Sequence, residues 1–524
     1  ALAWVVEYHY AHFWFSVSVD GWPPKQLDNR AYREQFTATT MAFWGTPLGV
    51  LVHAGDMGVD IFFVLSGFLI ATMLLRDAHR LGGGMNLTRF AVRRWLRLVP
   101  VYVLAIIVWG TVPQLRTVGG GDGALACRRD WWANLLFIDN IFQSRQGVPC
   151  VMLSWTIAIE VQFYILSPFI VHAMYWCSTH RRTTTSGGGG SSSRAGDRRG
   201  GAVRYRRWPG VAVALAGAFI PLFVRSYMFA TDADRYASRY VNLDVYFRVW
   251  TRADPYLLGM LVGFLNHVHN AEMGKFDVDG ARGGGGDHGG DGRGRATAKG
   301  DGDGNDGDDD DDAHELLAAA EAALDTSADD AASGGTVRRR AAVDGDDGDV
   351  EVASGARASP WWRCGGGNAA WIAAHTTVAL INVTLAFIGA RPRLPGSDIA
   401  WVHRFVEQRV PRDMFITCEV LVRPAYAATV AWFVHFGLRR RVAPLTRVCS
   451  LRCWAPFARL SYSGYLFHPL GLVGIYLLPL AFDDTAVVAL GKYLLTCAIG
   501  LVITNVIATA TFLTIEAPFM NLRS

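Results

Sequence analysis

Cysteine is scarce in this chain, with eight residues in a length of 524. That number is too small for a scaffold held together by disulfides. Cys449 and Cys453 are closely spaced, but the further His or Cys partners that a zinc site needs are missing around them. We therefore expect no metal site.

Charge is also scarce, at 18% of residues, and the balance of 50 Lys and Arg against 46 Asp and Glu leaves a net charge of only +4. This balance gives no indication of nucleic-acid binding. The mean hydropathy of +0.19 hides two populations. Some windows are almost uncharged and long enough to cross a bilayer, whereas other tracts have hardly any large apolar residue. A single soluble domain is therefore excluded.

Large apolar residues are nearly absent from two tracts. Residues 178–208 are basic and include a Ser and Gly run, and residues 267–367 are dominated by Gly and Asp. The Ser and Gly run at 183–201, within this basic cytoplasmic loop, and the acidic tract 267–367 cannot bury enough apolar surface to offset their chain entropy. We therefore expect both to be disordered cytoplasmic inserts without chemistry. The stretch 314–324 could form a short helix, although a solvated tether is favoured there.

The remaining chain contains ten apolar windows, at 1–19, 56–75, 98–115, 152–177, 209–229, 254–266, 368–390, 414–437, 457–480 and 486–515. Their lengths predict an all-α polytopic membrane bundle of about ten transmembrane helices. Residues 41–55 are apolar but contain Gly and Pro, which favours an interfacial loop. The membrane domain then divides into 1–177, 209–266 and 368–524, separated by the two inserts.

Basic residues in the connections predict the orientation, because cytoplasmic loops retain Lys and Arg. Residues 76–97, 178–208 and 438–455 are rich in Arg, which puts both termini in the cytoplasm; residues 391–412, with five Arg, fit less well. Cys127 and Cys150 bracket a segment on the other side, where an oxidising compartment would favour a disulfide. The chain begins with Ala1 inside an apolar run, which we interpret as a truncated or processed start without a signal peptide.

Ionisable residues inside the apolar windows are candidates for function, because such groups are costly in a membrane. His9 and His12 share one face of the first window, and a histidine there could act as a general base or be a packed interface residue. Asp56 and Asp60 lie on one helical face, and Asp60 could orient a histidine. The other candidates are Ser66 and Gly67 at a close helix contact, Glu160 and Tyr164 in the fourth window, and Arg423 and His468 as possible partners of Glu160.

Arg94 and Arg97 lie three residues apart at the start of the third window. Guanidinium groups bind phosphate in a bidentate manner, so this pair could hold a phosphate. Basic residues at this position can equally serve as anchors at the cytoplasmic face of the membrane.

Four segments, in this order, resemble the acyltransferase type 3 family of multi-pass membrane enzymes. They are 58–69 (GVDIFFVLSGFL), 94–100 (RWLRLVP), 155–168 (WTIAIEVQFYILSP) and 460–469 (LSYSGYLFHP). Residues 127–150 and 251–263 (TRADPYLLGMLVG) are similar to the eukaryotic branch typified by the nose-resistant-to-fluoxetine proteins. Glu160 departs from that branch and looks more like the bacterial pattern.

The resemblance implies transfer of an acyl group, commonly acetyl, from cytoplasmic acyl-CoA to a hydroxyl of a carbohydrate, lipid or similar acceptor at an endomembrane or the plasma membrane. Acyl-CoA would be a co-substrate, and no bound cofactor is expected. His9 falls on the family's catalytic histidine, and Arg94 and Arg97 fall on its CoA-phosphate pair. The family's Arg eleven residues before that histidine would precede Ala1, so a protein that began at Ala1 could be inactive.

The predicted site therefore consists of His9, Asp60 and Glu160 for catalysis and Arg94 and Arg97 for acyl-CoA, with Ser66, Tyr164, Arg423 and His468 in support. His9 would act as a general base or carry a transient acyl group. Two alternatives remain open: a transporter or lipid-handling membrane protein, because intramembrane ionisable residues also build substrate pathways, and a non-catalytic homologue.

Overall fold

The computed structural model describes residues 1–10, 47–112, 123–146, 150–151, 153–181, 203–232, 243–273, 368–390, 412–439, 447–476 and 486–522. His12, most of the basic tract and nearly all of the Gly and Asp tract lie outside these residues, so the predictions made for them stay predictions.

The described part is almost entirely helical. In chain order the helices are α1 (residues 2–10), α2 (Pro47–His53), α3 (Gly58–Arg80), α4 (Leu87–Thr111), α5 (Gly123–Leu135), α6 (Asp139–Gln146), α7 (Ser154–Ser178), α8 (Arg207–Thr231), α9 (Leu243–Tyr246), α10 (Ala253–Glu272), α11 (Asn368–Ala390), α12 (Arg412–Leu438), α13 (Trp454–Tyr476), α14 (Ala486–Thr511) and α15 (Ala517–Asn521). Short 3₁₀ turns cover Ala54–Met57 and Val249–Thr251, and a π-helix, Phe512–Glu516, joins α14 to α15.

The described residues form one small sheet, a two-stranded ribbon. Strands β1 (Thr179–Arg181) and β2 (Val203–Tyr205) pair antiparallel, with Thr179 opposite Tyr205. The ribbon lies between α7 and α8, at the two edges of the basic tract. The expectation of an all-α chain is therefore correct except for this small element.

In the part of the chain that the structure describes, each apolar window that the sequence predicts contains a helix. Within the described residues, four stretches are long and apolar enough to cross a membrane, namely Ala54–Arg80, Ser154–Ser178, Arg207–Thr231 and Leu494–Asn521. Membrane-helix character is therefore established, and the number of about ten crossings stays a prediction.

Helix α3 is at the centre of the bundle and packs closely against α10. Gly67 and Gly259 permit this approach, because a Cβ atom at Gly67 would lie 2.0 Å from the carbonyl oxygen of Tyr256, and one at Gly259 would lie 2.0 Å from that of Val64. The buried core extends from α3 to α4, α7, α10 and α13. Gly67 thus lies at a close helix contact of the kind that the sequence indicates, whereas Ser66 bonds Glu160 on α7.

A disulfide joins Cys127 in α5 to Cys150, just before α7. It closes the segment of α5 and α6 that connects α4 to α7. Inside this segment Asn134 donates hydrogen bonds to Tyr102 at 3.2 Å and to Ser154 at 2.9 Å, and Ser154 donates to Asp139 at 2.5 Å. The connection is therefore held to the bundle by buried polar contacts as well as by the disulfide.

Candidate active site

Two histidines from opposite ends of the chain meet inside the bundle. The Nδ1 atom of His9, on α1, lies 3.1 Å from the Nε2 atom of His468, on α13, and the two rings stack with centroids 5.0 Å apart. His468 is fully buried, whereas His9 is half-buried. The sequence indicates both histidines, but it offers His468 as a possible partner of Glu160 and does not indicate a contact with His9.

A backbone contact determines which nitrogen of each ring carries a proton. The Nδ1 atom of His468 lies 2.8 Å from the carbonyl oxygen of Tyr465. Because a carbonyl only accepts, Nδ1 must be the donor, and a neutral His468 then accepts at Nε2. His9 therefore donates from its own Nδ1, and its Nε2 is the ring atom that can accept a proton. His468 thus fixes the tautomer that a general base at His9 requires.

Helix α1 is attached to α13 and α14 next to this pair. The hydroxyl of Tyr10 lies 2.8 Å from Thr504 Oγ1, 3.0 Å from the carbonyl oxygen of Gly500 and 3.2 Å from that of His468. Tyr10 is buried. These contacts fix the position of α1, and with it His9, relative to His468.

Asp60 belongs to a separate cluster of buried charges. Its carboxylate accepts from Arg423 at 2.7 Å and lies 2.9 Å from Arg252 Nη2, and Arg423 also pairs with Asp56. The ring of Tyr246 lies 4.8 Å from the centre of each guanidinium group. Two carboxylates and two guanidinium groups compensate one another here, as buried ions must. The expectation that Asp60 orients a histidine is not what the geometry shows, because its partners are arginines.

A second buried ion pair lies beside this cluster. Arg225 on α8 donates to Asp254 at 3.0 and 3.4 Å and to the carbonyl oxygen of Val420 at 3.3 Å. Neither Arg225 nor Arg252 is among the site residues predicted from the sequence. The available signals were a lone Arg inside the window 209–229 and the conspicuous segment TRAD at 251–254.

Glu160 has partners other than those expected from the sequence. Its Oε1 atom accepts from Ser66 at 3.0 Å and from Tyr164 at 2.5 Å. The expected partners are engaged elsewhere, Arg423 with the aspartates and His468 with His9. Ser66 and Tyr164 hold this carboxylate by hydrogen bonds alone.

The two arginines of the predicted phosphate clamp lie on α4 and are half-buried. The guanidinium centre of Arg94 lies 5.4 Å from the ring centroid of Tyr164. Arg97 Nε lies 4.0 Å from Glu516 Oε1, and the buried Glu516 also accepts from Ser463 at 2.8 Å. Glu516 is not among the site residues predicted from the sequence, although it follows directly after the last apolar window. It lies on the π-helix, an element that is frequent at functional sites.

A line of contacts, which includes one turn of α3, connects Arg94 to the histidines. Arg94 faces Tyr164, Tyr164 bonds Glu160, and Glu160 bonds Ser66. One helical turn from Ser66 along α3 is Phe62, whose ring lies 6.5 Å from that of Tyr465, and the Tyr465 ring lies 6.0 Å from His468. Arg94 and the histidine pair are thus the two ends of one line of contacts. Among the described residues, no three His, Cys, Asp or Glu side chains are grouped as metal ligands would be.

Comparison with known proteins identifies the family. Residues 1–273, more than half of the chain, match the profile of the acyltransferase domain family called Acyl_transf_3. The chain belongs to this acyltransferase family. His468, Arg423 and Glu516 lie beyond the matched residues, so the C-terminal part of the chain completes the site.

Two bacterial proteins are similar to part of the chain. A peptidoglycan O-acetyltransferase of Listeria monocytogenes is 31% identical over 131 residues, which cover 23% of this chain and 21% of that protein. A Bacillus subtilis protein named "Putative peptidoglycan O-acetyltransferase" is 37% identical over 139 residues, 25% of this chain and 22% of the relative. The matches thus span about a fifth of these relatives. No solved structure matches the chain.

Proposed function

We propose that this protein is a multi-pass membrane O-acyltransferase that moves an acyl group, such as acetyl, from cytoplasmic acyl-CoA to a hydroxyl of a carbohydrate, lipid or similar acceptor. The observation that carries the proposal is the contact between His9 and His468, in which a backbone carbonyl dictates the tautomer of both rings. Membership of the acyltransferase family supports acyl transfer. The relatives named for peptidoglycan O-acetylation support a hydroxyl acceptor and an acetyl group.

The chemistry follows from the tautomer. Nε2 of His9 takes the proton of the acceptor hydroxyl while the oxygen attacks the thioester carbonyl carbon. The C–S bond breaks, and the proton passes from His9 to the departing sulfur, so that an ester and a free CoA thiol are produced. The imidazolium that forms in between keeps its Nδ1 hydrogen bond to the neutral His468.

The donor enters from the cytoplasm in this proposal, with its phosphates on Arg94 and Arg97. Basic connections support that side, because positively charged loops stay cytoplasmic. The proposed protein has about ten membrane-crossing helices and cytoplasmic termini, and it lies in an endomembrane or the plasma membrane. In this proposal the acyl donor extends along the line of contacts from Arg94 to His468, which supports a position of the thioester near His9.

Thiol release from acetyl-CoA by the purified full chain tests the proposal, with octyl glucoside as a hydroxyl-bearing acceptor probe and longer acyl-CoA donors in parallel. We expect His9→Ala to lower the rate at least about 100-fold, as removal of a general base does. His468→Ala should lower it less, because His468 acts through His9. His172→Ala is the matched control, since His172 is an exposed histidine on α7, and it should retain the wild-type rate.

Full turnover in His9→Ala would contradict the role of the histidine. A protein that releases thiol from none of the donors would contradict acyl transfer. Movement of a substrate across the membrane without consumption of acyl-CoA would then favour a transporter.

A further inference from the structure

Glu160 has one oxygen that is engaged and one that is not. Both hydrogen bonds to this carboxylate, from Ser66 and from Tyr164, end on Oε1. Oε2 has no hydrogen-bond or ion-pair partner among the described residues. A carboxylate accepts about four hydrogen bonds when ionised, and at membrane depth an unsatisfied charge is costly. Oε2 of the half-buried Glu160 can therefore accept a hydrogen bond from a ligand.

The position of Glu160 between the arginines and the histidines indicates the kind of ligand. Tyr164 bridges Arg94 and Glu160, because its ring lies 5.4 Å from the guanidinium of Arg94 and its hydroxyl donates to Glu160 at 2.5 Å. Glu160 is thus separated from the predicted phosphate clamp by the width of one tyrosine ring. From Ser66, the other donor, α3 leads in one turn to Phe62 and the Tyr465 ring next to His468.

The chemical groups along acyl-CoA follow the same order as the residues from Arg94 through Glu160 to the histidines. Phosphates occupy one end, the pantetheine arm follows with two secondary amides, and the thioester is at the other end. A donor molecule with its phosphates on Arg94 and its thioester at His9 would place its amides near Glu160, which lies between these two residues in the line of contacts.

We propose that Glu160, held by Ser66 and Tyr164, binds an amide N–H of the pantetheine arm of the acyl donor through Oε2. The inference rests on the proposed acyl-CoA donor and adds the residue that recognises the middle of that molecule. A charged acceptor gives a strong hydrogen bond to an amide, since charge-assisted bonds are roughly twice as strong as neutral ones. Glu160 is then a donor-binding residue, and proton transfer stays with His9.

Two acyl donors separate the contribution of the pantetheine arm to KM from the contribution of the phosphates. Acetyl-CoA has both parts, whereas S-acetyl-pantetheine has the arm without the phosphates. We expect Glu160→Gln to raise KM for both donors by about tenfold or more, the effect of losing a hydrogen bond to a charged group. Arg94→Gln should raise KM for acetyl-CoA and leave that for S-acetyl-pantetheine within about twofold of wild type. Glu272→Gln, at an exposed carboxylate that pairs with Arg207, is the control.

A KM for S-acetyl-pantetheine within about twofold of wild type in Glu160→Gln overturns the inference, whatever happens to kcat. Should that variant not fold, Tyr164→Phe supplies the second measurement, because it removes one of the two donors that orient Glu160 and should raise both KM values. Thiol release that needs His9 together with an unchanged KM in Glu160→Gln would refute this inference alone. Absence of thiol release in the wild-type protein would refute the proposed function as well.

Discussion

At the scale of single residues, the buried ionisable side chains of the site find partners in distant parts of the chain. His9, Asp60, Glu160, Arg423 and His468 are all recognisable, because ionisable residues in apolar windows are rare. Their pairing is not encoded by spacing along the chain. His9 meets His468 across 459 positions, and Arg423 meets Asp60 across 363. Each pair forms because a buried charge or polar group must find a complement wherever the fold supplies one.

Asp139 leads to a prediction about pH. It is buried in α6, in the connection between α4 and α7, and burial raises its pKa from 3.8 to about 7. Between these two values the folded protein holds a proton that the unfolded chain has released. The stability contributed by this group is therefore complete below about pH 4, falls as the pH rises to about 7, and is constant above that. Asp139→Asn, which imitates the protonated acid, should flatten this dependence.

Thermal unfolding of the detergent-solubilised protein between about pH 4 and pH 7 measures the effect, with Glu272→Gln as a control at an exposed carboxylate. An identical slope in Asp139→Asn and wild type would show that another group is responsible.

At the scale of elements, apolar length predicts where helices lie and close approach decides how they pack. Windows such as 368–390 and 209–229 coincide with α11 and α8 almost to the residue. The ribbon of β1 and β2 escapes prediction because three-residue strands carry too little pattern to be recognised. The contact of α3 with α10 was indicated on one side alone, by Ser66 and Gly67. The complementary Gly259 becomes evident only when the helices are packed together.

Gly259→Ala tests this packing. In an isolated helix the substitution would stabilise by about 1 kcal/mol. In this bundle the new Cβ atom would lie 2.0 Å from the carbonyl oxygen of Val64, and backbone cannot move aside without separating the helices. We therefore expect a lower melting temperature and loss of monodisperse protein in fluorescence-detected size exclusion.

Gly491→Ala is the matched control, because a Cβ atom there meets nothing within 4 Å. This variant should be as stable as wild type or slightly more stable. Equal melting temperatures for Gly259→Ala and wild type would contradict the close packing of α3 against α10.

At the scale of the whole molecule, the site is assembled from two parts of the chain that are far apart in sequence. The family profile covers residues 1–273, with His9, Arg94 and Glu160. The C-terminal part supplies Arg423 from α12, His468 from α13 and Glu516 from the π-helix. Arg423 joins the two parts through Asp56 and Asp60, so its loss should weaken the molecule as a whole.

Arg423→Met leaves both carboxylates buried with one guanidinium fewer. Removal of one partner from a buried ion pair typically costs about 3–5 kcal/mol, so we expect marked destabilisation or failure to fold. Arg459→Met, at an exposed arginine at the start of α13, should leave the melting temperature unchanged. Thermal unfolding of the two purified variants makes the comparison, and equal stability would show that the carboxylates find another cation.

The sequence by itself determined the helical character, the positions of the apolar helices, the acyltransferase family and most of the chemically competent side chains. These are local properties, since the lengths of apolar segments and short motifs can be recognised directly in the sequence. Only the tertiary structure decided that His468 orients His9, that Asp60 pairs with Arg252 and Arg423, and that Glu160 lies between Arg94 and the histidines. The physical reason is that hydrogen bonds and ion pairs depend on distances of about 3 Å between atoms, and those distances are set by helix packing between segments that are far apart in sequence.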